Sequence, residues 1–216
     1  MKMRRLVQCL SVIAAIVLGS AAAQAHPHVW IIAKSELVYA PDGTITGVRH
    51  AWTFDDMFSA YALQGIESKT KGVYTREELS ALAQTNVESL KEYAFFTFAK
   101  EGVVGSQKKE KFTNPVDYYL DYNESVLTLH FTLPFRTPFK SQKLQVEIFD
   151  PAYFIDFKMA DKDPIKLVGA PAGCKMNFIR PSDGTTPQTL DDSNFLAGDN
   201  SNYGAMFANK ITVDCP

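Results

Sequence analysis

The sequence predicts an α+β fold: mainly antiparallel β-sheet, one helical hairpin inserted after the second strand, and one disulfide. Three observations predict it. Short runs rich in Val, Ile, Phe, Tyr and Trp alternate with Gly, Pro, Asn and Asp signals along most of the chain, so strands outnumber helices. The two helical patterns are consecutive and fall between about residues 56 and 92. An even pair of cysteines, Cys174 and Cys215, lies beyond a leader-like start.

The leader has a basic beginning (Lys2, Arg4, Arg5), an apolar run over 10–18 and Ala23-Gln24-Ala25 as a small-x-small cleavage site. That is the three-part layout of a Sec-type secretory signal, so residues 1–25 are expected to be removed and the product to be periplasmic. The apolar run is too short for a comfortable membrane span and none follows it, so no integral membrane segment is expected after removal. Cutting 25 of 216 residues leaves 191, expected to form a single domain over 26–216. Taking Lys2, Arg4 and Arg5 from a formal charge of −2 leaves −5. A mildly acidic chain without a run of basic residues argues against nucleic acid as a partner. In an oxidising compartment Cys174 and Cys215 should pair, closing a loop of about forty residues. The chain-entropy model puts such a closure at roughly 4 kcal/mol.

Residues 28–39 read as a strand. Ala40-Pro41-Asp42-Gly43 reads as a turn, because Pro presets φ and Gly accepts a positive one. Residues 44–54 return as the second strand, with His50, Trp52 and Phe54 on one face and Arg49, Ala51 and Thr53 on the other. Asp55 or Asp56 caps a helix over 57–66. Thr75-Arg76-Glu77-Glu78 is a capping box for a second helix running to about 92, burying Leu79, Leu82, Val87 and Leu90. Strands are then expected at 93–100, 116–121, 126–133, 144–149, 153–159, 165–168 and 174–179, with a charged turn at 102–111. Residues 181–201 are polar and rich in Gly, Pro and Asp, a long loop, and 205–213 closes the chain as a strand or short helix.

Chemistry concentrates at the mature start. With the cut after Ala25, His26 carries a free α-amine and stands two residues from His28. Alternation lets both rings point to one face of a strand. His50 lies toward the far end of the second strand, which in an antiparallel hairpin lies beside the start of the first. His26, His28 and His50 are therefore expected to converge, with Asp55 as a fourth donor or as the partner fixing a histidine tautomer. Neutral imidazoles suit Zn, Ni, Co or Cu. Plain roles compete at this point: His50 as a hydrogen-bonded strand residue, Asp55 as a helix cap, His130 as an ordinary strand residue. An amine-and-imidazole chelate at His26 also resembles the histidine brace of copper oxidative enzymes, since Pro27 has no amide N–H and blocks planar wrapping through the backbone. The chain carries no nucleophile elbow, P-loop or dinucleotide fingerprint, and a non-enzymatic role is expected.

The set His26-Pro27-His28-Val29-Trp30-Ile31, Trp52-Thr53-Phe54-Asp55-Asp56, Asn86-Val87-Glu88-Ser89-Leu90, Phe96-Thr97, Asp150-Pro151-Ala152-Tyr153-Phe154 and Gly169-Ala170-Pro171-Ala172-Gly173-Cys174 resembles a bacterial domain-of-unknown-function family, known as the periplasmic component of an uncharacterised ABC-type transport system. The resemblance spans nearly all of the mature chain. It implies an exported role linked to nickel/cobalt-type metal transporters, with a membrane metal transporter as partner. Relatives often carry an EF-hand-like loop between the helices. Here the register runs from Glu67 to Glu78, with Gly72 sixth, Glu78 twelfth, and Lys69 and Lys71 at positions three and five. An ammonium has no lone pair to give, so calcium is not expected there. The alternative of another class is a structural module that docks on a periplasmic or membrane assembly.

Overall fold

A computed structural model describes residues 27–181 and 203–216. Residues 1–26, including the expected leader and His26, and nearly all of the polar stretch 181–201 lie outside the described residues.

The first sheet is built on a hairpin of β1 (Val29–Tyr39) and β2 (Ile45–Phe54). Its turn closes as the residue types require: Gly43 takes φ +83° and donates to the Ala40 carbonyl at 2.9 Å, and Asp42 accepts from the Thr44 amide. β6 (Val126–Phe139) pairs with β2, and β5 (Val116–Asn123) pairs with β6 across Glu124-Ser125, both at positive φ as in a tight hairpin turn. On the other side of β1 lie β8 (Ile155–Met159) and β9 (Ile165–Val168), both parallel to it. The expectation of mainly antiparallel sheet therefore holds only approximately: the first sheet is mixed. The second sheet is antiparallel throughout, in the order β10 (Lys175–Ile179), β11 (Asn209–Asp214), β7 (Lys143–Ile148), β3 (Thr97–Glu101), β4 (Lys108–Glu110).

The inner faces of both sheets share one apolar cluster. Trp52 on β2 meets Phe131 and Phe157 edge-on, with ring centroids 4.8 and 4.9 Å away. Asn209, buried on β11, donates from Nδ2 to the Phe157 carbonyl at 2.6 Å and so ties the second sheet to the first. The helical hairpin follows β2 as expected. α1 (Asp56–Ala62) is capped by Asp55, whose Oδ1 accepts from the Phe58 amide at 2.7 Å. Buried Ser59 accepts from the Leu127 amide and anchors α1 to β6. The Thr75–Glu78 capping box forms in both directions and caps the turn that leads into α2 (Ser80–Leu90), which buries Ala83 and Val87 behind Leu79.

One element differs in kind. The aromatic run after α2 is not a strand from residue 93. Lys91–Phe96 forms a 3-10 turn with Ala94, Phe95 and Phe96 at positive φ, and β3 starts only at Thr97. The detour buries Phe95 and Phe96 in the core. The C-terminal stretch is both of the forms expected for it, a 3-10 turn at Tyr203–Phe207 followed by β11. The predicted disulfide is present: Cys174 and Cys215 join the start of β10 to the end of β11 across 41 residues.

Asp150 shapes the crossing between the sheets. Only 4% exposed, it accepts from the amides of Ala152, Phe154 and Ile155 at 2.9 to 3.0 Å. Asp150→Ala should cost on the order of 3 kcal/mol, because three amides lose a charged acceptor. Asp150→Asn should cost less, since one side-chain oxygen remains. Urea unfolding of the two variants checks the order; equal losses would refute it.

Candidate functional site

β1 alternates between core and solvent. Val29, Ile31, Ala33, Ser35 and Leu37 face inward, while His28, Trp30 and Ile32 are exposed. His28 sits just before β1, its amide donating to the Phe154 carbonyl at 2.8 Å and its ring 4.7 Å from that of Phe154. Trp30, 44% exposed, is flanked by two acids. On one side the Asp55 Oδ2 accepts from the Trp30 amide at 2.9 Å. On the other, Asp156 is the register partner of Trp30 in the parallel strand β8. Partial burial raises the Asp156 carboxyl above the usual range, against a smaller lowering by Lys158. Asp55 thus performs its capping role and also closes the rim of the hairpin; each of its oxygens keeps a second lone pair.

His50 does not join this group, which corrects the expected convergence. Its register partner on β1 is Ser35, seven residues from His28, or roughly 23 Å along an extended strand. It also faces the opposite side of the sheet: His50 is 2% exposed and lies in the core. Both ring nitrogens are engaged. Nδ1 lies 2.9 Å from Ser35 Oγ and Nε2 3.2 Å from Thr97 Oγ1. Thr97 Oγ1 donates to the Phe95 carbonyl at 2.9 Å, so it can only accept from the ring. That places the proton on Nε2 and leaves Nδ1 to accept from Ser35, with no lone pair for a cation. Desolvation pushes the His50 pKa down to about 3, so the ring is neutral and bridges β1, β2 and the second sheet.

His130 proves more connected than an ordinary strand residue. Its ring stacks on Tyr119 at 4.5 Å, and its Nε2 lies 3.4 Å from Asp121 Oδ2. Arg76, from the turn before α2, holds Asp121 through Nε and Nη2 at 2.7 and 3.0 Å and lies 3.7 Å above the Tyr119 ring. Burial lowers the His130 pKa, partly offset by Asp121. No spacing in the sequence signals this group, because Arg76 and Asp121 are 45 residues apart. It fastens the helical hairpin to the outer face of β5 and β6.

At the EF-hand-like loop, Gly72 takes φ +77°, as a sixth position requires. Glu78 spends one oxygen on the Lys69 amide and the other on the amide and hydroxyl of Thr75. Those bonds, the Thr75 amide first, hold its carboxyl below the usual range. Among the described residues no three His, Cys, Asp or Glu side chains are placed to share a metal ion. Also among them, no helix is long and apolar enough to cross a membrane.

Fold and site together define a two-sheet, disulfide-closed β protein with a helical hairpin and an acid-flanked, histidine-bearing rim at the head of its first strand. The chain belongs to the family described as "Protein of unknown function (DUF1007)", which matches residues 11–215. A search of curated proteins gives no match.

Proposed function

We propose that this protein is a periplasmic, non-enzymatic accessory of a divalent transition-metal transport system, taking up Zn, Ni, Co or Cu at the head of β1 and handing it to a membrane transporter. The observation that carries the reading is the exposed position of His28 just before β1, two residues from Trp30, whose amide the Asp55 carboxylate holds. His28 and Asp55 supply two donors of suitable chemistry, and His26 supplies an imidazole and, after processing at Ala25, an amine. His50 has no part in this donor set. The resemblance to transporter-linked relatives supports the same reading, as does a disulfide suited to an oxidising compartment.

Metal titration of the chain beginning at His26, against a form with one extra residue ahead of it, tests the proposal. The extension should weaken binding at least tenfold, His28→Ala should do likewise, and His50→Gln should leave affinity unchanged. A second reading, a docking module, draws on the exposed Trp30, Ile32, Met57, Tyr61 and Phe154 at the same end of the molecule. Equal and negligible metal affinity in both forms would favour it and overturn the metal reading.

A further inference from the structure

We propose that a cleft on the outer face of the second sheet binds a small organic anion, an apolar or aromatic body bearing a phosphate or carboxylate. The cleft, half open to solvent, has a volume of about 680 Å³, within the range that holds small molecules. Its apolar lining includes Phe98 and Phe149, with ring centroids 4.8 Å apart. Besides Lys100, the lining holds four further cations, Lys109, Lys111, Arg136 and Lys210.

The fold gathers these cations from separate stretches. Lys109 on β4 lies directly opposite Lys100 on β3. The Arg136 amide donates to the Lys111 carbonyl at 2.7 Å, which sets those two residues side by side. Lys210 on β11 is the register partner of Glu147 on β7. The two carboxylates in the lining are already committed: Glu147 pairs with Lys100 at 3.1 Å and Glu110 with Lys108 at 2.8 Å. None of the four cations has an ion pair with a carboxylate among the described residues. Like charges directly opposite each other in a sheet repel. A chain of formal charge −2 thus concentrates unneutralised positive charge around an aromatic floor. An anion relieves the repulsion, the Arg136 fork suits a phosphate or carboxylate, and an apolar body covers the rings. Cations grouped around a half-open cleft of this size match a small molecule better than a polymer.

The probes are 1-naphthyl phosphate and 1-naphthoate, titrated calorimetrically into the full chain. Inorganic phosphate serves as the charge-only control and 1-naphthalenemethanol as the apolar one. At least one naphthyl anion should bind tenfold or more tighter than either control, and weaken with added salt. Which of the two binds better tells phosphate from carboxylate. Lys111→Gln with Arg136→Gln should lose at least tenfold in affinity, and Lys210→Gln should lose less. Lys143→Gln, on the same sheet but outside the cleft, should be unchanged. All four positions are exposed, and unaltered thermal midpoints would show that the variants fold. Naphthyl anions that bind no tighter than both controls, or full affinity in the double variant, would overturn the proposal. Metal binding at His28 is not required for any of these outcomes.

Discussion

Acidification should cost this fold about 3 kcal/mol between pH 7 and pH 4, and about 4 near pH 3, through His50 alone. The ring is fully buried and its pKa falls from 6.5 to about 3 in the folded state. Between those values the unfolded chain binds a proton that the folded chain does not. Stability is therefore fully present above pH 6.5 and is lost as pH falls toward 3. Protonation would put a second donor on Nδ1, facing a Ser35 hydroxyl that now donates to it, and would charge a ring that burial holds neutral. The check is a series of urea midpoints from pH 7 to pH 4 for the wild type and His50→Gln. The variant begins less stable, because a polar bridge between the sheets is altered, but its curve should be flatter over that window. His130 is also lowered by burial and acts in the same direction in both proteins, so the difference isolates His50. Parallel curves would sink the assignment.

Trp52→Ala should cost about 4 kcal/mol, among the largest effects of any single substitution here. Trp52 is 1% exposed and stands between Phe131 on its own sheet's neighbouring strand and Phe157 across β1, so its loss leaves a cavity walled by rigid rings. Trp52→Phe should cost much less than its lost area implies. The indole Nε1 is buried with no hydrogen-bond partner among the described residues, and such an orphan donor is worth about 1 to 3 kcal/mol of destabilisation. Replacing the indole by phenyl removes that penalty along with the packing. Guanidinium unfolding of both variants reads the two effects separately. A Trp52→Phe loss as large as its lost area implies would show that the unpaired N–H carries no penalty.

Local chemistry made much of the fold legible. The Pro41-Asp42-Gly43 turn, the faces of β2, the capping box, β9 and the cysteine pair were all readable, because each rests on neighbours or on one compartment argument. The parallel pairing of β8 and β9 with β1 was not, since nothing near residues 155–168 announces that they will flank residues 29–38. Ala94, Phe95 and Phe96 at positive φ were hidden for a related reason: only core packing offsets that backbone cost. His50 is a different case. A tight turn centred near residue 42 pairs residue 50 with residue 35, so the separation from His28 was already implicit in the hairpin. The basic cleft could not be seen in any run of residues, because Lys111, Arg136 and Lys210 meet only through strand order.

That strand order has a temporal consequence. β11, residues 209–214, occupies an interior place in the second sheet, between β10 and β7. A chain emerging from its N-terminal end has already delivered β3, β4, β7 and β10 while the slot between the last two is vacant. Until residue 214 appears, two open edges wait for the same strand. The second sheet is therefore completed last, and the Cys174–Cys215 bond acts as a latch that can engage only once residue 215, just past β11, is available.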